Sequence, residues 1–141
     1  MILAAGMSSR MGSIKQLLPL GGRTLIENVL ENLRESQVDE IVLVLGFSAD
    51  MIREKIPLDG VKVIINEAYR EGMGTSLRTG IAHVSPEASA ALVVLADQPF
   101  VQPGTIDQLI RVYREQKPQI VIPVYQGFRG NPVLLDRSVF P

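Results

Sequence analysis

The chain predicts an α/β fold, a doubly wound and mostly parallel sheet with helices on both faces. Two observations carry this. Short apolar runs of strand length alternate along the whole chain with stretches of helical periodicity. Runs such as Ile41-Val42-Leu43-Val44-Leu45 are apolar at every position, as strands covered on both faces are.

The elements follow in order. Ile2–Ala5 is the first strand. A helix is expected from Thr24 to about Ser36: Thr24 and Glu27 stand at capping-box spacing, and Leu25, Ile26, Val29, Leu30 and Leu33 share one stripe. Glu40–Gly46 is a β-branched strand. Asp50–Ile56 is a short helix ended by Pro57. Val61–Asn66 is the third strand, Gly74–Val84 a helix, and Ala90–Ala96 the fourth strand, ending at Asp97. Pro103 opens a helix that runs to about Gln116. Gln119–Tyr125 and Pro132–Asp136 read as further strands, and Arg137–Pro141 as the start of another helix. Apolar surface left bare near that end is expected at Val133, Leu135 or Val139. No repeat, linker or low-complexity tract divides the sequence, so residues 1–141 form a single domain.

Composition excludes several classes. The 141 residues, 46% hydrophobic, suffice for one domain that buries roughly two-thirds of its unfolded surface. A net charge of −1 offers no basic excess for nucleic acid or a membrane surface. There is no cysteine, hence no disulfide or thiolate metal site, and one histidine cannot build a His-rich site. No apolar run approaches about 20 residues, and no signal-peptide pattern opens the sequence. These features predict a cytoplasmic protein with neither a nucleic-acid nor a membrane partner.

The most informative stretch is Leu3 to Pro19, Leu-Ala-Ala-Gly-Met-Ser-Ser-Arg-Met-Gly-Ser-Ile-Lys-Gln-Leu-Leu-Pro. An apolar strand runs into a loop with Gly6, Gly12, two hydroxyls, Arg10 and Lys15. Glycines let the backbone approach a ligand, and two cations beside free N–H groups suit a polyphosphate. The spacing is not that of a Walker A loop, because Gly12 is followed by Ser13-Ile14-Lys15. Nor do Gly6 and Gly12 supply the Gly-x-Gly-x-x-Gly of a dinucleotide site.

Three more segments fall at the carboxyl ends of predicted strands, where open α/β sheets bind ligands. In Asp97-Gln98-Pro99 a carboxylate follows a buried run, which suits a Mg²⁺ ligand or, equally, an Asp that caps the next turn. Asn66 to Arg78 contains Gly72, Gly74, Thr75 and Ser76 at a helix start, fit for an anion or a ribose edge, or simply a helix N-cap. Asn66 itself reads either as a base-edge contact or as a turn residue. Gln126 to Pro132 sets Arg129 and Asn131 among two glycines and an aromatic, a loop able to close over a ligand or to lie in water. His83 reads as an exposed or half-buried helix-end residue.

The Leu3–Pro19 stretch resembles the signature of nucleotidyltransferases with a Rossmann-like fold, of the nucleotide-diphospho-sugar transferase kind. With Arg10-Met11-Gly12 and Lys15 close behind, it is most similar to the molybdenum-cofactor branch, the molybdopterin cytidylyl- and guanylyltransferases. The resemblance spans all 141 residues and implies further sequence beyond Pro141, with another acidic segment. It implies a nucleotidyltransferase that uses Mg²⁺ held by Asp97, with Arg10 and Lys15 on the triphosphate. Leu3, Ala4, Ala5, Gly6, Asn66 and Ser76 would lie about the nucleotide, and Arg129 and Asn131 on the acceptor side. The implied partners are an NTP, a phosphorylated pterin acceptor, and a molybdoenzyme or its chaperone that receives the product. Leu3-Ala4-Ala5-Gly6 and Asp97-Gln98-Pro99 match the cytidylyl members, so CTP is favoured over GTP, and the Ala5 methyl is expected to narrow the space beside the base. The alternatives are a GTP-using enzyme, a sugar-phosphate acceptor, or a non-catalytic nucleotide-binding module.

Overall fold

Ile2, Leu43 and Leu45 are wholly buried, and they lie on two central strands of a six-stranded sheet. The structure is a computed structural model that describes residues 1–7 and 13–141. Its strands are β1 (Ile2–Ala4), β2 (Pro19–Leu20), β3 (Arg23–Thr24), β4 (Ile41–Leu45), β5 (Val61–Ile65), β6 (Ala90–Leu95), β7 (Ile120–Val121), β8 (Val124–Tyr125), β9 (Phe128–Arg129) and β10 (Val133–Asp136). The helices are α1 (Leu25–Arg34), α2 (Ala49–Lys55), α3 (Met73–Ala82) and α4 (Pro103–Gln116), with 3-10 turns at Lys15–Leu17, Tyr69–Glu71 and Arg137–Val139.

The main sheet runs β5-β4-β1-β6-β10-β7. β5, β4, β1 and β6 are parallel, and β10 is antiparallel to both β6 and β7. From β1 the backbone builds outward through β4 and β5, then crosses back to lay β6 on the other side of β1. The crevice between β1 and β6 is therefore the topological switch point, where α/β sheets bind ligands.

Helices cover both faces of the sheet, as the apolar strands require. On one face α1, α2 and α4 bring Ile26, Leu30, Ile52, Ile106 and Leu109 onto Ile2, Ala4, Leu43, Leu45 and Val94. On the other, Leu77 and Ile81 of α3 pack with Leu3, Val42 and Val44. Burying a side chain such as Ile26 or Leu30 contributes about 1.5–3 kcal/mol. The capping box forms as expected: the Glu27 N–H donates to Thr24 Oγ1 at 3.3 Å, and the Thr24 N–H donates to Glu27 Oε2 at 2.7 Å.

Three expectations need correction. The run Gln119–Tyr125 is two strands, because Pro123 has no N–H and cannot continue a ladder. Beyond it β8 pairs with β9 instead, across Gln126 and Gly127, whose φ values of 50° and 83° are those of a tight hairpin turn. Arg137–Val139 is a single 3-10 turn, entered through an Asp136 carboxylate that accepts the Ser138 N–H at 2.8 Å. The bare apolar surface near this end is not at Val133, Leu135 or Val139, which are half-buried. It is on the hairpin, where Val124, Tyr125 and Phe128 are 64%, 77% and 78% exposed. Among the described residues no helix is long and apolar enough to cross a membrane.

Candidate active site

Because β1, β4, β5 and β6 are parallel, their carboxyl ends share one edge of the sheet. Ala5 and Gly6, Gly46, Asn66 and Asp97 follow those four ends. Val133 lies opposite Val93 and Leu134 opposite Val121, so the β8–β9 hairpin leaves from the same edge. The sheet thus brings the described residues of all four segments singled out from the sequence to one side of the molecule.

At the centre of that edge Lys15 Nζ lies 3.1 Å from Asp97 Oδ2, across the switch point. Lys15 opens a 3-10 turn closed by the Leu18 N–H on its carbonyl at 3.1 Å. The next residue, Gln16, is buried, and its Nε2 donates to the Ala4 carbonyl at 3.2 Å, fastening the turn to the end of β1. Asp97 sits on a turn in which the Gln98 N–H reaches the Leu95 carbonyl at 3.2 Å. Asn32 of α1 donates to the Pro99 carbonyl at 2.9 Å and steadies that turn. Both charged side chains are about half exposed, at 48% and 46%. Exposed pairs of this kind contribute about 0–1 kcal/mol, so stability alone does not account for two anchored turns that present them to each other. Arg10 lies outside the described residues.

At the end of β5, Asn66 is almost fully buried and donates to both Thr75 Oγ1 and Ser76 Oγ at 2.9 Å. Its Oδ1 accepts the Ala68 N–H at 3.1 Å. These are the bonds of a turn residue, and they tie the start of α3 to the sheet edge. Ser76 is buried with it.

The end of β1 is tightly packed. Leu3, Ala4 and Ala5 are buried and Gly6 is exposed. A Cβ on Gly46 would stand 2.8 Å from the Ala5 carbonyl oxygen and 2.9 Å from the Ala5 methyl. The methyl therefore lies beside Gly46, on the β4 side. On the other flank, Arg129 and Asn131 are exposed, Arg129 on β9 and Asn131 just after it. His83 is exposed at the end of α3, with Nδ1 2.8 Å from the Thr79 carbonyl.

Among the described residues no group of three or more His, Cys, Asp or Glu side chains could hold a metal by itself. Asp97 nevertheless fits the way Mg²⁺ is commonly bound, by one or two carboxylates completed by substrate phosphates and water. A separate cavity of about 590 Å³ opens at the opposite edge, lined by Met1, Glu40, Leu92, Tyr113 and Lys117 among others. No candidate site residue read from the sequence lines it.

Gln16, Asn32 and Gly46 shape the site and carry no motif. Gln16 adjoins Lys15, and Asn32 sits beside the apolar stripe of α1; only three-dimensional contacts reveal what they hold.

The sequence matches the MobA-like NTP transferase domain over residues 1–141. The protein belongs to that family. Proteins similar to this chain carry varied names. Nicotine blue oxidoreductase of Paenarthrobacter nicotinovorans is 31% identical, over 99% of this chain and 71% of its own length. The bifunctional protein GlmU of Cellvibrio japonicus is 29% identical over 83% of this chain, which spans 26% of that protein. The molybdenum cofactor cytidylyltransferase of Escherichia coli is 27% identical, over 96% of this chain and 68% of its own length. Among solved structures, Rv0371c of Mycobacterium tuberculosis superposes with a TM-score of 0.90 at 36% identity, covering 99% of this chain and 70% of that one. A second structure of Rv0371c is a complex with manganese, with a TM-score of 0.86.

Proposed function

We propose that the β1/β6 crevice transfers a nucleoside monophosphate from an NTP to a phosphorylated acceptor, with pyrophosphate leaving. The observation that carries this is the Lys15–Asp97 pair at 3.1 Å across the switch point. A cation and a carboxylate held side by side, each half exposed, suit a metal-bound triphosphate: the cation meets phosphate oxygens and the carboxylate meets the metal.

The acceptor phosphate is already an anion, so no protein nucleophile is needed. An oxygen of that phosphate attacks the α-phosphorus, the bond to the β-phosphate oxygen breaks, and the electron pair leaves with pyrophosphate. The protein's work is to align the two substrates and to neutralise growing charge. Lys15 is the fixed cation for that charge, joined in this reading by Arg10. Asp97 would hold Mg²⁺, which supplies Lewis-acid stabilisation of phosphate oxygens when bound. The backbone of Leu3–Gly6 borders the base. Asn66 and Ser76 hold the start of α3 beside the nucleotide. Arg129 and Asn131, on the β6–β10–β7 flank, face the acceptor.

CTP is the favoured nucleotide and molybdopterin the favoured acceptor. This finer reading rests on Leu3-Ala4-Ala5-Gly6, on Asp97-Gln98-Pro99 and on the similarity to the molybdenum cofactor cytidylyltransferase. Its product would pass to a molybdoenzyme or its chaperone. Pyrophosphate release measured with CTP, GTP, ATP and UTP, with and without molybdopterin, tests the nucleotide and the acceptor. Release that needs CTP and molybdopterin is the expected result.

The similarity to nicotine blue oxidoreductase supports a second reading, redox chemistry on the same fold, because fold alone does not decide reaction. The paired cation and carboxylate favour phosphoryl chemistry. The same assay separates the two, since an oxidoreductase would release no pyrophosphate with any of the four nucleotides.

A further inference from the structure

Gly46 follows β4, and its φ is not in the left-handed region, so backbone conformation does not call for glycine here. Space does. A Cβ at this position would lie 2.8 Å from the Ala5 carbonyl oxygen, 2.8 Å from Tyr69 Cβ and 2.9 Å from Ala5 Cβ. All three are backbone or Cβ atoms that no rotamer change can move aside. The exits of β1, β4 and β5 therefore converge on one missing side chain. Tyr69 is fixed in turn: its ring lies 6.3 Å from that of Phe47, and the Arg70 guanidinium sits 5.7 Å from its centroid.

This contact fixes a direction. The Ala5 carbonyl faces Gly46, on the β4 side of β1. In a planar trans peptide the N–H points opposite to the C=O. The Gly6 N–H therefore points away from Gly46.

We infer that Gly46, backed by Tyr69, is a positioning residue for nucleotide recognition. Its missing side chain leaves room for the Ala5 carbonyl on the β4 side and so lets the Gly6 N–H aim at the nucleoside, while Gly46 takes no part in holding the phosphates. The inference rests on the nucleotide reading proposed above.

The test compares two probes, CTP and inorganic tripolyphosphate, titrated by calorimetry into the wild-type protein and into Gly46→Ala, with circular dichroism to check the fold. The added methyl is expected to weaken CTP at least tenfold and to leave tripolyphosphate within twofold. Equal weakening of both probes, or of neither, overturns the inference. Should Gly46→Ala not fold, the wild-type amide spectrum decides: the Gly6 N–H resonance must shift with CTP and stay within its scatter with tripolyphosphate. A Gly6 resonance that ignores CTP, or follows both probes alike, overturns it. If the wild type binds neither CTP nor GTP, the nucleotide reading itself fails and the inference falls with it. If CTP binds wild type and Gly46→Ala equally well, only the role of Gly46 falls.

Discussion

Lys15 and Asp97 stand 82 positions apart in the sequence and 3.1 Å apart in space. Nothing local brings them together. The sheet does, by setting β1 beside β6 although β4 and β5 are laid down between them. Each partner rests on a turn fastened elsewhere, Lys15 through Gln16 to the Ala4 carbonyl and Asp97 through Pro99 to Asn32. A nucleotide–metal complex entering the crevice would separate the pair and give each charge a stronger partner.

Lys15→Ala is expected to weaken triphosphate binding about ten- to a hundredfold, because a charge-assisted contact to phosphate is worth about 1.5–3 kcal/mol. Stability should change by about 1 kcal/mol or less, since the ion pair it breaks is half exposed. Titration with CTP checks the first half and a thermal melt the second. Undiminished affinity would remove Lys15 from the site.

Asp97→Asn is nearly isosteric and sits on an exposed turn, so the thermal midpoint should stay within about 3 °C, an effect under about 1 kcal/mol. Turnover should fall by about a hundredfold or more, because the amide is neutral and a poor ligand for a hard cation. The loss should show in the metal dependence, with far more Mg²⁺ or Mn²⁺ needed for whatever activity remains. A variant that melts early and is inactive would mark Asp97 as structural.

The parallel core was legible because its signals are local. The α1 stripe, the capping box of Thr24 and Glu27, and Pro103 at the start of α4 all act within a few residues, and each appears where expected. The strand ends were legible too, since Gly6, Gly46, Asn66 and Asp97 each follow an apolar run. What failed was set by contacts distant in sequence. Pro123 splits a strand, but only the register of β10 shows where its partner goes. That Ala5 and Gly46 are neighbours is likewise set by the pairing of β1 with β4 and by no local pattern. Asn66 offered two roles, and the hydroxyls of Thr75 and Ser76, each 2.9 Å away, supply the bonds of the turn role.

The far end of the sheet carries a pH-dependent clamp. The Tyr113 hydroxyl donates to Asp136 Oδ2 at 2.6 Å. Burial first, and then Asp136, push the phenol up to about 12. Hydrogen bonds from Ser138 first, and then Tyr113, draw Asp136 down to about 2. The raised phenol stabilises the fold below its ordinary value of 10.0, and that contribution is lost as pH climbs toward 12. The depressed carboxylate stabilises it above 3.8, and that contribution is lost as pH falls toward 2. Tyr113→Phe should therefore melt below wild type between about pH 4 and 10, and the gap should narrow outside that window. Thermal melts of both proteins across the pH range check this, and a gap that does not depend on pH would rule out the clamp.

Asn66→Ala tests how the start of α3 is held. The substitution removes two donors and one acceptor from a buried site and strands the Ser76 hydroxyl and the Ala68 N–H. Unsatisfied buried groups cost about 1–3 kcal/mol, so the variant should fold with a lowered midpoint. Thr75 keeps its bonds to the Ala68 and Gly72 carbonyls at 3.0 and 2.8 Å, so the turn should loosen rather than unfold. If α3 is positioned for the nucleotide, the KM for CTP should rise several-fold more than that for the acceptor. Asn66→Asp distinguishes holding from reading. The carboxylate still accepts the Ala68 N–H and can accept from either hydroxyl, so the turn keeps its bonds at the cost of a buried charge, while a base-edge donor would be lost outright. A KM for CTP near the wild-type value in Asn66→Asp, beside a raised one in Asn66→Ala, is the outcome expected of a residue that holds the turn. Equal losses in both would make Asn66 a direct contact to the base.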